Sequence, residues 1–208
     1  MESSKIFGGS TKTMGRLALL SAIVILMSFT PLGYLRLTPG LEITLIPIPV
    51  TVGAILMGPK AGAFLGAVFG LTSFAQCFGF SPFGAVLLSI NPVYTFILTF
   101  IPRILMGYLT GWSFALYSRL FPSRTIACGA ASLTGPVLNT IFFMTFLIAF
   151  FGRTEFIMEF RGAASILGFV VAFVGINGVV EAAVCLIAGT AITRALLSRF
   201  YPNSAMPA

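Results

Sequence analysis

The chain has 208 residues, 58% of them hydrophobic and 8% charged, with a mean hydropathy of +1.05 and a net charge of +7. A soluble domain carries about a quarter charged residues, so this chain cannot cover a water-facing surface, and lipid is the expected solvent for most of it. The absence of histidine excludes imidazole metal ligands, histidine general bases and Ser–His–Asp chemistry together, while Cys77, Cys128 and Cys185, widely spaced among apolar residues, read as small hydrophobic filler rather than a metal or disulfide pattern.

At about 20 residues per span, the length accommodates six transmembrane helices with short connections, in a single integral membrane domain covering 1–208. Residues 1–13 are polar. The first span is expected over 14–30 and is retained as a helix, since no small-residue cleavage site follows it. A Pro- and Gly-containing loop over 31–44 holds Arg36 and Glu42. The second span, 45–57, is short and carries Pro47 and Pro49 in its first turn, where proline is tolerated. Gly58-Pro59-Lys60 reads as a tight turn into the third span, 61–78. The stretch 85–117 is too long for one straight span, and Asn91-Pro92 and Ile101-Pro102 are expected to break or kink it. That leaves a short tilted or re-entrant piece followed by the fourth span, 92–118. A basic loop leads to the fifth span, 125–151. A charged loop, Arg153 to Arg161, precedes the sixth span, 163–197.

Six spans place both ends of the chain on one side. That side collects Lys5, Lys12, Arg16, Lys60, Arg119, Arg124, Arg194 and Arg199, against Arg36, Arg153 and Arg161 on the other. The asymmetry predicts cytoplasmic termini. It also accounts for the positive charge as topology rather than as a nucleic-acid surface.

Gly58, Gly62, Gly66 and Gly70 form a stripe at the start of the third span, suited to close approach of another backbone. Intramolecular packing is the favoured reading, and a partner-docking or sliding face is the alternative. Arg103 and Glu181 are the only charges deep within predicted spans, so they are expected to face the interior, a cavity or each other. Asn91, Tyr94, Asn139, Asn177 and Gln76 add hydrogen-bonding capacity, and Asn177 and Glu181 share one helix face. The functional reading is a small-molecule pocket among the fourth, fifth and sixth spans. The structural reading is an Arg103–Glu181 ion pair, which can also form the floor of such a pocket. The 31–44 loop reads as a lid or as a plain connection.

Taken in order, several motifs resemble the S components, the substrate-binding membrane subunits of energy-coupling-factor (ECF) vitamin transporters. They are Ala18-Leu-Leu-Ser-Ala22, Ile48-Pro-Val-Thr-Val-Gly53, Gly58-Pro-Lys-Ala-Gly62 continuing to Gly70, and Pro102-Arg-Ile-Leu-Met-Gly107. Phe69-Gly-Leu-Thr-Ser-Phe74 and Ser81-Pro-Phe-Gly84 look most like the pantothenate-type branch. The resemblance implies an all-α six-helix bundle in a prokaryotic plasma membrane. It implies a vitamin pocket under the loop between the first two spans. The implied partners are a transmembrane coupling subunit, docked through Ala18 and Ala22, and two cytoplasmic ABC-type ATPases. No Walker A sequence is present, so ATP is expected to be hydrolysed by the partners; the chain itself is expected to be no enzyme and to hold no cofactor or metal. Arg103 would meet the pantothenate carboxylate through its planar fork. Asn91, Asn139 and Asn177 would serve its amide and hydroxyls, with Tyr94, Glu181 and Glu42 as further candidates. Arg103 lies about 16 Å along its span from Pro92, deep enough to suit an ion pair with Glu181 instead.

Other vitamins or precursors, such as folate, riboflavin, hydroxymethylpyrimidine or a queuosine-like compound, are alternatives. An intramembrane enzyme is disfavoured by the missing histidine and by the lack of a paired intramembrane aspartate. A self-sufficient secondary transporter would have Glu181 as its one intramembrane carboxylate and shows no convincing inverted repeat.

Overall fold

Proline and glycine divide this apolar sequence into helices, and the computed structural model describes residues 11–38, 41–162 and 165–200. Helix α1 runs Thr11–Ser28. A 3-10 turn, Pro31–Gly33, leads into an antiparallel hairpin of β1 (Tyr34–Thr38) and β2 (Leu41–Thr44), with Arg36 opposite Glu42. A segment read from sequence as a loop therefore contains a short β hairpin, the one β element among the described residues.

Helix α2 (Pro47–Met57) has proline at its start, and Gly58, at φ 87, ends it and begins α3 (Pro59–Gln76). The left-handed backbone at Gly58 is open to glycine and allows the chain to reverse in one residue. Nearly every residue of α2 is buried, because α1, α3, α5, α6 and α8 all pack against it. It is the central post of the molecule.

Ser81 caps the nine-residue α4 (Pro82–Ile90) by accepting from the Gly84 N–H at 3.2 Å. Asn91-Pro92 then separates α4 from α5 (Pro92–Leu120). The span expected over 92–118 is one helix despite Pro102. Helix α5 continues through it, with Pro102 buried. Helix α6 covers Arg124–Phe151 and likewise contains an internal proline, Pro136. The charged segment after it is a helix rather than a loop: α7 (Glu155–Arg161) starts at Thr154, whose hydroxyl accepts from the Ile157 N–H. Helix α8 (Ile166–Phe200) is interrupted at Gly175, where φ is 28 and ψ is −134.

Among the described residues, α1, α5, α6 and the Gly178–Arg199 part of α8 are long and apolar enough to cross a membrane. The polar start of the chain, including Lys5, lies outside the described residues, as do the side chains of Arg36, Glu42, Arg161 and Asn177.

The glycine stripe settles the packing of α3 against α5. A Cβ on Gly62 would run into the Gly107 carbonyl, and one on Gly66 into the Arg103 carbonyl. Farther along, a Cβ on Gly70 would meet the Phe100 Cα at 2.9 Å, and one on Gly111 would meet Pro59 at 2.7 Å. The two helices thus run antiparallel in backbone contact, the intramolecular use of small residues.

Candidate functional site

Because Gly66 carries no side chain, the backbone of Arg103 rests directly on α3. This fixes where the arginine side chain emerges. Its guanidinium carbon lies 5.6 Å from the ring centre of Phe69 on α3 and 4.9 Å from that of Phe143 on α6. Both are within cation–π range. Nη1 donates to the Leu98 carbonyl at 2.9 Å. That carbonyl is the one Pro102, lacking an N–H, cannot serve. The arginine therefore repairs the helix its neighbour interrupts and is held in one orientation by doing so.

Arg103 forms part of the wall of a cavity of about 760 Å³, within the size range of small-molecule sites. The cavity lies at the hairpin end of the bundle. Its walls come from the end of α1 and the following turn, the ends of α3, the start of α4, the first half of α5, and Phe143. Phe29, Phe80, Phe83 and Leu98 supply apolar surface; Thr30, Ser73, Gln76, Thr95 and Thr99 supply polar groups.

Several polar groups are held in place by their own helices. The Thr95 and Thr99 hydroxyls donate to the Asn91 and Thr95 carbonyls, each at 2.9 Å, leaving oxygen lone pairs as acceptors. Ser28 Oγ lies 2.9 Å from Thr72 Oγ1, and Gln76 Nε2 donates to the Ser28 carbonyl. These bonds clamp α1 to α3 at the cavity rim. Thr30 Oγ1 is buried and has no hydrogen-bond partner. A buried hydroxyl left in this way is costly, and a ligand in the cavity would supply the missing bond.

Of the residues singled out from sequence as substrate-binding, Arg103 is the one placed on this wall. The Asn91 side chain accepts from the Val93 and Tyr94 N–H groups, both at 3.1 Å, and so caps α5. Tyr94 is 41% exposed and stacks on Phe150 at 4.9 Å. Asn139 lies one turn before Phe143 on α6, and its Oδ1 is buried without a partner. Glu181 is buried on α8; the Thr44 backbone at the end of β2 hydrogen-bonds to its carboxylate, and the Arg103 charge acts on it. Glu181 thus links the hairpin, α8 and the arginine behind the cavity. Glu42 is on β2 opposite Arg36, and Asn177 is on α8.

The polar residues read from sequence suggest a pocket among the spans now seen as α5, α6 and α8, and the family resemblance implies one under the loop between the first two spans; the cavity lies at that loop, mainly among α1, α3, α4 and α5. The residues that sequence reading missed are the hydroxyls of α1, α3 and α5, which carry little signal individually. Gln76, noted from sequence as an intramembrane polar residue, was the detectable one. Ala18 and Ala22 are exposed on α1, on one face with Gly15, where a Cβ would have nothing within 4 Å.

A family model described as "ECF transporter, substrate-specific component" matches residues 12–192. The chain is 32% identical over 163 residues to the pantothenic acid transporter PanT of Lactococcus lactis subsp. cremoris, covering 74% of this chain and 76% of that one. It is 30% identical over 184 residues to the pantothenate transporter PanT of Leuconostoc mesenteroides subsp. mesenteroides, covering 85% and 87%. Among solved structures, ThiT from Listeria monocytogenes aligns with a TM-score of 0.62 at 16% identity, covering 88% of this chain and 94% of that one. That likeness concerns the fold.

Proposed function

Because the chain belongs to the family of ECF transporter substrate-specific components, we propose that it captures pantothenate for import. Arg103 on the wall of the 760 Å³ cavity carries this reading. A guanidinium held between two aromatic rings is a preorganised receptor for a carboxylate. Pantothenate pairs one carboxylate with an amide, two hydroxyls and a branched apolar middle. The Thr30, Ser73, Gln76, Thr95 and Thr99 groups match the polar part, and the phenylalanines match the apolar part. The two PanT relatives support the same choice of ligand.

The remaining features form a consistent picture. Helices α1, α2, α3, α5, α6 and α8 serve as six spans of a prokaryotic plasma-membrane protein, with both termini cytoplasmic and the hairpin outside. Helix α2 is only about 16 Å long, which suits a post wrapped by other helices better than a lipid-facing span. The chain acts without catalysis or a cofactor of its own. A transmembrane coupling subunit docks on the exposed Gly15–Ala18–Ala22 face, where small side chains admit a close helix. Two ABC-type ATPases hydrolyse ATP for the assembly.

The test is the ligand that co-purifies with the protein, identified by mass spectrometry, followed by a binding panel without ATP that includes folate, riboflavin and hydroxymethylpyrimidine. Pantothenate is the expected hit. A different vitamin, or none, overturns the assignment. Ala18→Trp and Ala22→Trp are expected to keep ligand binding and abolish complex formation; intact uptake in both would remove α1 as the docking face.

A further inference from the structure

The foot of the hairpin is joined to the cavity wall by a chain of backbone bonds. The Leu45 N–H donates to the Gly33 carbonyl at 2.9 Å, and the Gly33 N–H donates to the Thr30 carbonyl at 3.2 Å. Gly33 is pressed against the end of α1, where a Cβ would run into the Met27 carbonyl. Thr30 and Pro31 line the cavity. The placing of that wall is therefore tied to Leu45 and its neighbour Thr44.

Strand register decides what Thr44 can bond. Thr44 lies opposite Tyr34, and Leu45 and Gly33, one step nearer the foot, are joined by a hydrogen bond. Bonded and non-bonded pairs alternate along an antiparallel ladder. The Thr44 N–H thus points away from β1, off the free edge of β2, and needs a partner from elsewhere in the molecule. That partner is the carboxylate of Glu181 on α8, a helix against which β2 packs.

Glu181 is 9% exposed, and its Oε1 is buried without a hydrogen-bond partner. A buried carboxylate left half-satisfied costs stability, and an apolar side chain holds a fold as well or better. The position calls for a reason beyond holding the fold. Glu181 bears on both polar parts of the cavity wall. It reaches Thr30 through Thr44, Leu45 and Gly33, and it feels the charge of Arg103.

We propose that Glu181 is a positioning residue of the ligand site: by accepting from the Thr44 N–H it holds the Thr30 side of the cavity in place against Arg103 and so slows release of the bound molecule. Glu181 is not among the residues that line the cavity, so it acts through the hairpin foot rather than by touching the ligand. The inference rests on the cavity being the vitamin site.

The test combines pantothenate association and dissociation rates, measured on the full chain in detergent, with residue-resolved hydrogen exchange of the ligand-free protein. Glu181→Met removes the carboxylate at similar length. It is expected to speed dissociation about 10-fold, the worth of one hydrogen bond to a charged group, with little change in association. Glu181→Gln keeps an acceptor for Thr44 while losing the charge, and should release ligand within about threefold of the native rate. Thr44→Pro removes the donor instead, at an edge position where proline breaks no ladder bond. It should match Glu181→Met, and the double variant should be no faster than either. In Glu181→Met the Thr44 amide should exchange readily while that of Leu45, still bonded to Gly33, stays protected.

Native release rates in both Glu181→Met and Thr44→Pro would overturn the proposal. So would equal effects of Gln and Met at Glu181, which would assign the role to charge. Loss of protection at Leu45 as well as Thr44 would make Glu181 a fold-holding residue, with the same result. If the native protein binds another vitamin, the same rates are measured with that one, so the choice of pantothenate can fail while this proposal stands; binding of none overturns both.

Discussion

Arg103 Nη1 donates to the Leu98 carbonyl at 2.9 Å, the acceptor that Pro102 leaves without its helical donor. One side chain thus closes a defect in α5 and presents a cation to the cavity. Pro102→Ala supplies the missing backbone N–H and releases the arginine from this tether. The expected result is a higher Tm with pantothenate binding weakened a few fold, since orientation of the guanidinium is lost. Calorimetry and thermal unfolding on the same sample check both signs.

Gly66 and Gly129 make opposite predictions for the same substitution. A methyl at Gly66 meets the Arg103 carbonyl, whereas a methyl at Gly129 meets only side-chain atoms at 3.5 Å or more. Gly66→Ala should destabilise by about 1–3 kcal/mol through overpacking and weaken ligand binding by displacing Arg103. Gly129→Ala should be neutral or stabilising, because alanine favours a helix by about 1 kcal/mol over glycine. Thermal unfolding in one detergent compares the two.

Thr30 is the sharpest test of the cavity's polar wall. Its Oγ1 is buried without a partner, so Thr30→Val should leave the Tm of the ligand-free protein unchanged or higher. If pantothenate takes that hydroxyl, its affinity should fall about fivefold, near 1 kcal/mol for one neutral hydrogen bond. Unchanged affinity would remove Thr30 from the site.

Thr110 is fully buried, and its hydroxyl has no partner. Replacing it with the isosteric valine removes an unsatisfied polar group at little cost in shape. Thr110→Val should therefore raise Tm, with ligand binding unaffected. A fall in Tm would show that the hydroxyl makes a bond in the membrane.

The breaks at Gly58-Pro59 and Asn91-Pro92 were legible in the sequence because proline and glycine act locally. The glycine stripe was also legible, since its four-residue spacing defines a helix face, although its partner on α5 was not. Pro102 was legible as a defect inside the fourth span, but its remedy was not: the missing donor is replaced by the next residue's side chain, which a proline rule does not consider. The hairpin and α7 were hidden within segments whose turn residues and charges resemble loops. The cavity was the least legible feature. Its wall consists of ordinary serine and threonine hydroxyls brought together by the backbone contact of α3 with α5. Asn91, by contrast, stood out chemically, but its side chain caps a helix.

The most direct measurement of the central claim is titration calorimetry of the purified protein, without ATP, against pantothenate and against panthenol, in which the carboxylate is replaced by a neutral alcohol. Saturable submicromolar binding of pantothenate is expected, as is a loss of about 10- to 100-fold for panthenol, the worth of a hydrogen bond to a charged group. Arg103→Gln should abolish that difference. Equal affinity for the two compounds in the native protein, or no binding of either, would contradict the account.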